Sequence, residues 1–151
     1  MDPSKVGVGE KIAAGSAAVL LIALFLPWYG LEVGGTKVAE LSAWEGDDVT
    51  DILVCLSAVV VLGVVAGKAM GALASLSKPA DIIVLAGIVA LVLVGYRSIK
   101  LPSDITPGAD VSHEIGYFIG LIAVIGVCFG GYRAAEQARG PEGEAQLDRD
   151  G

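Results

Sequence analysis

The stretch ILVCLSAVVVLGVVAG, residues 52–67, decides the fold class of this chain because sixteen consecutive positions carry no charged side chain. Three further uncharged, apolar runs cover residues 12–29, 82–96 and 115–132. All four runs are apolar on every face and lack the polar stripe that a helix of a soluble bundle presents to water. Transmembrane helices have this composition and need about 17 to 25 apolar residues. The pattern therefore predicts an all-α, polytopic membrane protein, an antiparallel bundle of four transmembrane helices.

Composition supports a membrane location. The 151 residues are 54% hydrophobic, with a mean hydropathy of +0.72, which exceeds the apolar share of an ordinary soluble domain. The net charge of -7 is opposite to the basic surface that nucleic acids require, so we expect no nucleic-acid partner. We predict one transmembrane domain at residues 1–139 and a disordered cytoplasmic tail at residues 140–151. The four spans of the domain are predicted at about residues 12–29, 52–70, 81–96 and 115–132.

Positive charges are distributed unequally between the two sides of the predicted membrane. If the spans alternate in direction, seven of the ten Lys and Arg residues share the side that holds both termini. Lys and Arg are enriched in cytoplasmic segments, so this bias places both termini in the cytoplasm of a plasma-membrane protein. Arg97, on the other side, is expected to extend toward the membrane surface. Aromatic rings also prefer this interface, and the predicted anchors are Trp28, Tyr29, Trp44, Tyr96, Tyr117 and Tyr132.

Glycines at four-residue spacing in the second and fourth spans indicate close helix packing. Small residues let two helix backbones approach each other in lipid. Packing within one bundle and packing against another subunit both fit this pattern, so the partners we consider are the lipid bilayer and either a second copy of the chain or another membrane protein. The predicted packing residues are Gly63, Gly67, Gly71, Gly116, Gly120, Gly126 and Gly130.

The loop after the first span predicts a small β-hairpin. Residues 31–33 and 36–38 flank Gly34 and Gly35, and a two-glycine turn allows φ > 0 at both central positions. Four acids then precede the second span, where acidic residues cap helix N–H groups and complement the helix dipole. Their spacing does not match a calcium-binding loop, so capping is the better interpretation of Glu45, Asp47, Asp48 and Asp51.

The sequence contains no arrangement that predicts catalysis. His113, the single histidine, is expected to be a solvated residue at the start of the fourth span, because no second histidine could complete a metal site. Cys55 and Cys128 are predicted near opposite membrane faces, too far apart for a disulfide. Interior polar atoms are few, essentially Ser16 and Ser57, which disfavours an ion or solute carrier. We therefore expect no catalytic residue, no metal and no cofactor.

Several short motifs carry a resemblance to a family. Residues 9–12 (GEKI) open the first span, 26–28 (LPW) close it, 42–45 (SAWE) precede the second span and 131–133 (GYR) follow the fourth. Together they resemble small, uncharacterised four-helix integral membrane proteins of actinobacterial type. The resemblance covers most of the chain and implies topology without a reaction. The leading hypothesis is a non-enzymatic accessory, scaffold or assembly subunit that acts by helix–helix packing, and the alternatives are a small oligomeric channel or exporter and a membrane-embedded enzyme.

Overall fold

The computed structural model describes residues 6–46, 48–73, 78–99, 108 and 110–150. Most of them are helical, and a small sheet joins the helices at one end. The helices are α1 (Val8–Ala23), α2 (Ala43–Gly46), α3 (Asp48–Ala69), α4 (Pro79–Ile99) and α5 (Ile115–Asp150). The strands are β1 (Pro27–Val33), β2 (Thr36–Ser42) and β3 (Asp110–His113). The expected predominance of helix is confirmed, but the three-stranded sheet means that the chain is not purely all-α.

The long helices pack in an antiparallel manner. α1 contacts α3 and α5, and α4 contacts the same two helices. Gly9, at the start of α1, lies against Gly130, late in α5, whereas Pro27, just after α1, lies against Gly116 at the start of α5. The sheet lies at one end of the helices, which we call the sheet end, and we call the opposite end the far end.

Three of the described helices are long and apolar enough to cross a membrane. They cover Val49–Ala69, Pro79–Ile99 and Ile115–Gln137. Large apolar side chains on the outer surface remain open, and Ile22 and Ile122 are 64% and 69% exposed. Such a continuous apolar exterior is compatible with a lipid environment and unusual for a soluble monomer.

The first predicted span is helical over only part of its length. Residues 12–29 were expected to form one helical span, but α1 ends at Ala23 and Pro27 opens β1. Proline lacks an N–H and disfavours helical backbone at the preceding residue. The indole Nε1 of Trp28 donates to the carbonyl oxygen of Ala23 at 2.6 Å, so this tryptophan folds back and satisfies a carbonyl at the helix end.

The predicted hairpin is confirmed and forms part of a larger sheet. Gly34 and Gly35 have φ values of 59° and 81°, as the two-residue turn requires, and Val33 pairs with Thr36. β3 was not predicted. It pairs with β1 in the register Tyr29↔His113, which gives the sheet order β2-β1-β3. This pairing holds the start of α5 close to the residues that follow α1.

The last helix differs from the predicted disordered tail. We expected residues 140–151, which include Pro141, to be disordered, but α5 continues through Asp150. Ala, Glu, Gln and Leu, which are strong helix formers, follow the proline and favour continuation of the helix. Cys55 and Cys128 are both free, as expected.

Candidate functional site

A buried ion pair joins α3 to α4 at the sheet end. The Arg97 guanidinium, near the end of α4, contacts the Asp51 carboxylate, in the first turns of α3, through Nη1 and Oδ1. The two side chains are 3% and 1% exposed. A charge that leaves water costs several kcal/mol unless it is paired, so each of these groups depends on the other. We call this contact the Asp51–Arg97 pair.

Arg97 also connects the helices to the sheet. Its Cζ atom lies 5.6 Å from the ring centroid of Trp28 and 5.2 Å from that of Tyr29, both in β1. Its Nη2 donates to the carbonyl oxygen of Ala43, the first residue of α2, at 3.2 Å. A desolvated cation gains about 2 kcal/mol from such an aromatic face. One side chain of α4 therefore contacts α3, β1 and α2.

The positions of the two charges in the sequence indicate this pair, although it was not predicted. Arg97 was expected to extend toward the membrane surface and Asp51 to cap its helix, but both are buried. Their opposite charges lie at the end of one span and the start of the preceding one, on the same predicted side. Antiparallel neighbouring helices bring two such positions together.

Aromatic rings extend the site from β1 to β3 and α5. The ring centroids of His113 and Tyr117 are 4.2 Å apart, and those of Trp28 and Tyr117 are 5.9 Å apart at an edge-on angle. The Tyr117 hydroxyl contacts the Ser98 hydroxyl of α4. The sheet-end cluster, as we call this group, connects three helices and two strands, and consists of Trp28, Tyr29, Asp51, Arg97, His113 and Tyr117.

His113 is not the solvated helix-start residue that we expected. It lies in β3 and is partly buried against Tyr117 and Tyr29. Its Nε2 atom is buried and has no hydrogen-bond partner among the described residues. Burial lowers the pKa of His113 below its ordinary value of 6.5, because the imidazolium would lose hydration without gaining a partner.

Acidification is therefore expected to destabilise the sheet end. With its pKa lowered, folded His113 binds fewer protons than the unfolded chain, so its contribution to stability is complete above about pH 6.5 and is lost as the pH falls below that value. Unfolding followed in detergent between pH 8 and pH 5 should show this loss. His113→Gln removes the titrating group, and its stability should fall less over the same range. Equal pH dependence of the two proteins would contradict the assignment.

A surface network closes the sheet over the start of α5. Lys37 of β2 lies 2.6 Å from Glu114 and 2.9 Å from Glu40. Its hydrogen bonds to Glu114 and then to Glu40 raise the pKa of Lys37 above 10.5. Lys37 and Glu40 are exposed and Glu114 is partly exposed, so their contribution to stability is small.

A second ion pair lies at the far end. Lys68, near the end of α3, contacts Glu10 of α1, whose side chain is 3% exposed. The other Glu10 carboxylate oxygen accepts a hydrogen bond from the backbone N–H of Gly7 at 2.6 Å, so the same residue caps its own helix. Glu10 therefore holds the start of α1 against α3.

The α5 glycines lie in close contact with α1 and with the residues that follow it. Gly116 and Gly120 make room for Trp28, and a β-carbon at Gly120 would lie 2.7 Å from Cζ2 of its ring. Gly126 and Gly130 lie directly against α1. These contacts place α1 and the residues that follow it close to α5 over most of its apolar length.

The α3 glycines have different surroundings. No atom lies within 4 Å of a β-carbon built at Gly63. Gly67 is near the Leu73 side chain, 2.9 Å from such a β-carbon, and Gly71 follows the helix with a φ of 73°. Gly71 is therefore a turn residue, and only Gly63 faces open space on this helix.

The predicted interface anchors also divide into two groups. The rings of Trp28 and Tyr29 are fully buried and Tyr117 is 7% exposed, so all three face the interior of the protein. Trp44 is partly buried, with its ring centroid 6.0 Å from that of Phe25. Tyr96 and Tyr132 are 47% and 59% exposed and lie on the outer surface.

The geometry favours a structural role for the sheet-end cluster. Asp51 is held by Arg97, and Arg remains protonated at any physiological pH, so the pair provides neither a free base nor a free acid. Within the described ranges, no three His, Cys, Asp or Glu residues are placed to hold a metal ion. Comparisons with family models, with curated proteins and with solved structures found no match to this chain.

Proposed function

We propose that this chain is a multi-pass protein of the plasma membrane that acts without catalysis, as an accessory, scaffold or assembly subunit. In the proposed topology α1, α3, α4 and α5 each cross the bilayer as an antiparallel bundle. Both termini are cytoplasmic, and the sheet lies outside. This topology is also what the resemblance to small four-helix membrane proteins implies.

The placement of the two ion pairs is the observation that carries the proposal. Asp51 and Lys68 mark the two ends of α3 and are 17 residues apart, which is about 26 Å along a helix. Between them α3 contains no ionisable residue other than Cys55, and Ser57 donates to the carbonyl oxygen of Leu53. A hydrocarbon core of about 30 Å fits this separation with slight thinning or with extended Lys and Arg side chains.

The packing of α1 supports its proposed role as the fourth span. Its 16 residues are about 24 Å long, which is shorter than α3, α4 and α5. It nevertheless runs beside α5 from Gly130 to the level of Gly116, where the turn at residues 24–26 and then Pro27 complete the crossing. The N–H groups of Phe25 and Leu26 donate to the carbonyl oxygens of Ile22 and Ala23, and the Pro27 carbonyl lies against Gly116 of α5, so this backbone is paired or packed within the protein, as non-helical backbone at membrane depth must be.

Charge supports the proposed orientation. Lys11, Lys68 and Arg133 lie at the far end, together with the start of α1 and the later half of α5. At the sheet end, Lys37 and Arg97 are each paired with an acid. Lys68 and Arg133 also lie beside acids, so the support comes from the number of Lys and Arg residues, which is larger on the side proposed to be cytoplasmic.

The positions of the ionisable residues argue against a carrier. Ion and solute carriers place such residues near the middle of the membrane, at the site of transport. Among the described spans, Glu10, Asp51, Lys68 and Arg97 are all at helix ends and all occupied in ion pairs. A role through association with other membrane proteins remains the hypothesis that the arrangement supports best.

Purification in a gentle detergent tests this role. The tagged chain, expressed in its native host at natural abundance, should elute at a mass above that of a monomer and retain the same protein, or a second copy of itself, across replicates. Gly63→Leu adds bulk where there is open space, and it should weaken the complex if the α3 face is used. Gly15→Leu, at an equally open position on α1, is the matched control.

Two results would count against the proposal. A monomer without partners in several mild detergents would remove the accessory role. An oligomer of the chain alone that conducts ions or solutes across liposomes would instead establish the alternative, a small channel or exporter.

A further inference from the structure

Two apolar grooves flank α1 and share one lysine at the far end. The groove between α1 and α5 has a volume of about 470 Å³ and is lined by Lys11, Gly15, Val19, Ile119, Ile122 and Gly126. The groove between α1 and α3 has a volume of about 410 Å³ and is lined by Val6, Lys11, Ala14, Leu62, Val65 and Ala69. Lys11 is the residue that the two linings have in common.

We propose that these grooves bind one anionic phospholipid, with its phosphate on Lys11 and one acyl chain on each side of α1. This inference rests on the proposed membrane location. Lys11 is exposed and makes no ion pair within the part of the chain that the structure describes. Its neighbour Glu10 is buried and held by Lys68, so this carboxylate does not neutralise Lys11.

The shape of the grooves favours an anionic lipid over a small free anion. From Lys11 to Val19 the α5-side groove follows α1 for eight residues, about 12 Å, toward the proposed membrane centre. Gly15 has no side chain to fill this groove, and no atom lies within 4 Å of a β-carbon built there. A free phosphate would use only Lys11, whereas an acyl chain would also cover the apolar linings.

The position of Lys11 also fits the membrane surface. In the proposed topology it lies at the cytoplasmic boundary, where anionic lipids are concentrated and each Lys near the surface attracts them. Its long stem allows the ammonium to reach the headgroup level while Ile12 and Gly15 remain in the acyl region.

Native mass spectrometry of the purified chain tests the proposal. In an equimolar mixture of phosphatidylglycerol and phosphatidylcholine, one bound phosphatidylglycerol should be retained. Lys11→Gln should reduce its retention about fivefold, the loss expected for one lysine at a membrane surface. Gly15→Leu should reduce it by filling the α5-side groove.

Matched controls separate this site from general lipid binding. Lys78→Gln removes an exposed lysine of the far end that lies in neither groove, and Gly63→Leu fills open space elsewhere. Both should retain the lipid as the parent chain does. Equal retention of the two lipids, or no effect of Lys11→Gln, would overturn the proposal. Displacement of the lipid by millimolar inorganic phosphate would identify an anion site without a role for the grooves, which would also overturn it.

Insertion and orientation are measured separately in cells. Resistance to carbonate extraction, together with labelling of Thr36→Cys from outside, should be found for the parent chain and for the variants. If the chain is extracted or labelled only from inside, the proposed membrane topology fails. If it is inserted correctly but shows no lipid preference, only the lipid site fails.

Discussion

Replacing Arg97 by methionine is expected to lower the free energy of unfolding by about 3 to 5 kcal/mol. Methionine keeps most of the side-chain length but leaves the Asp51 carboxylate buried without a counter-ion. Asp51 Oδ2 has no hydrogen-bond partner among the described residues, so Arg97 is the group that compensates this charge. Reversible unfolding in mixed micelles, followed by tryptophan emission, measures the loss, because Trp28 lies beside Arg97.

Arg133→Met is the matched control for this variant. Arg133 is 49% exposed and lies 3.5 Å from Glu136 on the same helix, so its ion pair should contribute less than about 1 kcal/mol. The loss of stability in Arg97→Lys should lie between those of Arg97→Met and Arg133→Met, since lysine restores the charge but not the planar group that stacks on Trp28 and Tyr29. If Arg97→Met were as mild as Arg133→Met, the Asp51–Arg97 pair would not hold the sheet end together.

A double substitution separates the charge from the packing. Asp51→Leu combined with Arg97→Met removes both charges and fills part of their space with apolar atoms. Buried ion pairs replaced in this way often retain stability, so we expect the double variant to recover most of the loss of Arg97→Met. Recovery would show that the penalty of the single variant is the unpaired carboxylate. Failure to recover would assign it to the contacts of Arg97 with β1 and α2.

Local sequence features predicted the elements better than their mutual contacts. The apolar runs predicted α3, α4 and the first half of α5, because an uncharged stretch of that length favours a membrane-spanning helix. The pair Gly34 and Gly35 gave the hairpin, since the turn requires φ > 0 at both residues. In each case the physical cause lies within a few residues of the chain.

The contacts missed from the sequence join distant residues. Asp51 and Arg97 are 46 positions apart, and each has a sufficient local explanation as a cap or as an interfacial residue. β3 was missed because a four-residue strand shows too little alternation to be recognised. The early end of α1 depends on the Trp28 indole reaching Ala23, and local spacing does not reveal whether a side chain folds back.

Glycine spacing also does not reveal which residues are in contact. The second and fourth predicted spans, which share this spacing, can be compared directly. Gly63 and Gly67 have the same separation as Gly126 and Gly130, so sequence periodicity treats the pairs alike. In the structure Gly63 faces open space, whereas a methyl group at Gly130 would overlap the backbone of Gly9 and Ala13. Alanine at these positions is therefore expected to have opposite effects.

Gly130→Ala should lower the free energy of unfolding by about 2 kcal/mol, within the range for overpacking. The atoms it would strike belong to the backbone of α1, so relief requires α1 and α5 to separate along their length. Gly63→Ala meets no atom, and it should be neutral or stabilise the chain by up to about 1 kcal/mol because alanine is the better helix former.

Gly126→Ala gives an intermediate case that tests the cause. There the methyl group would meet Ser16, whose side-chain oxygen can rotate away, so the loss should be smaller than at Gly130. The unfolding midpoint should then be highest for Gly63→Ala, intermediate for Gly126→Ala and lowest for Gly130→Ala. Equal changes at all three positions would mean that the substitutions act through helix propensity or lipid contact and not through contacts with α1. The predicted order instead requires that α1 lies against α5 as closely as the Gly9–Gly130 contact indicates.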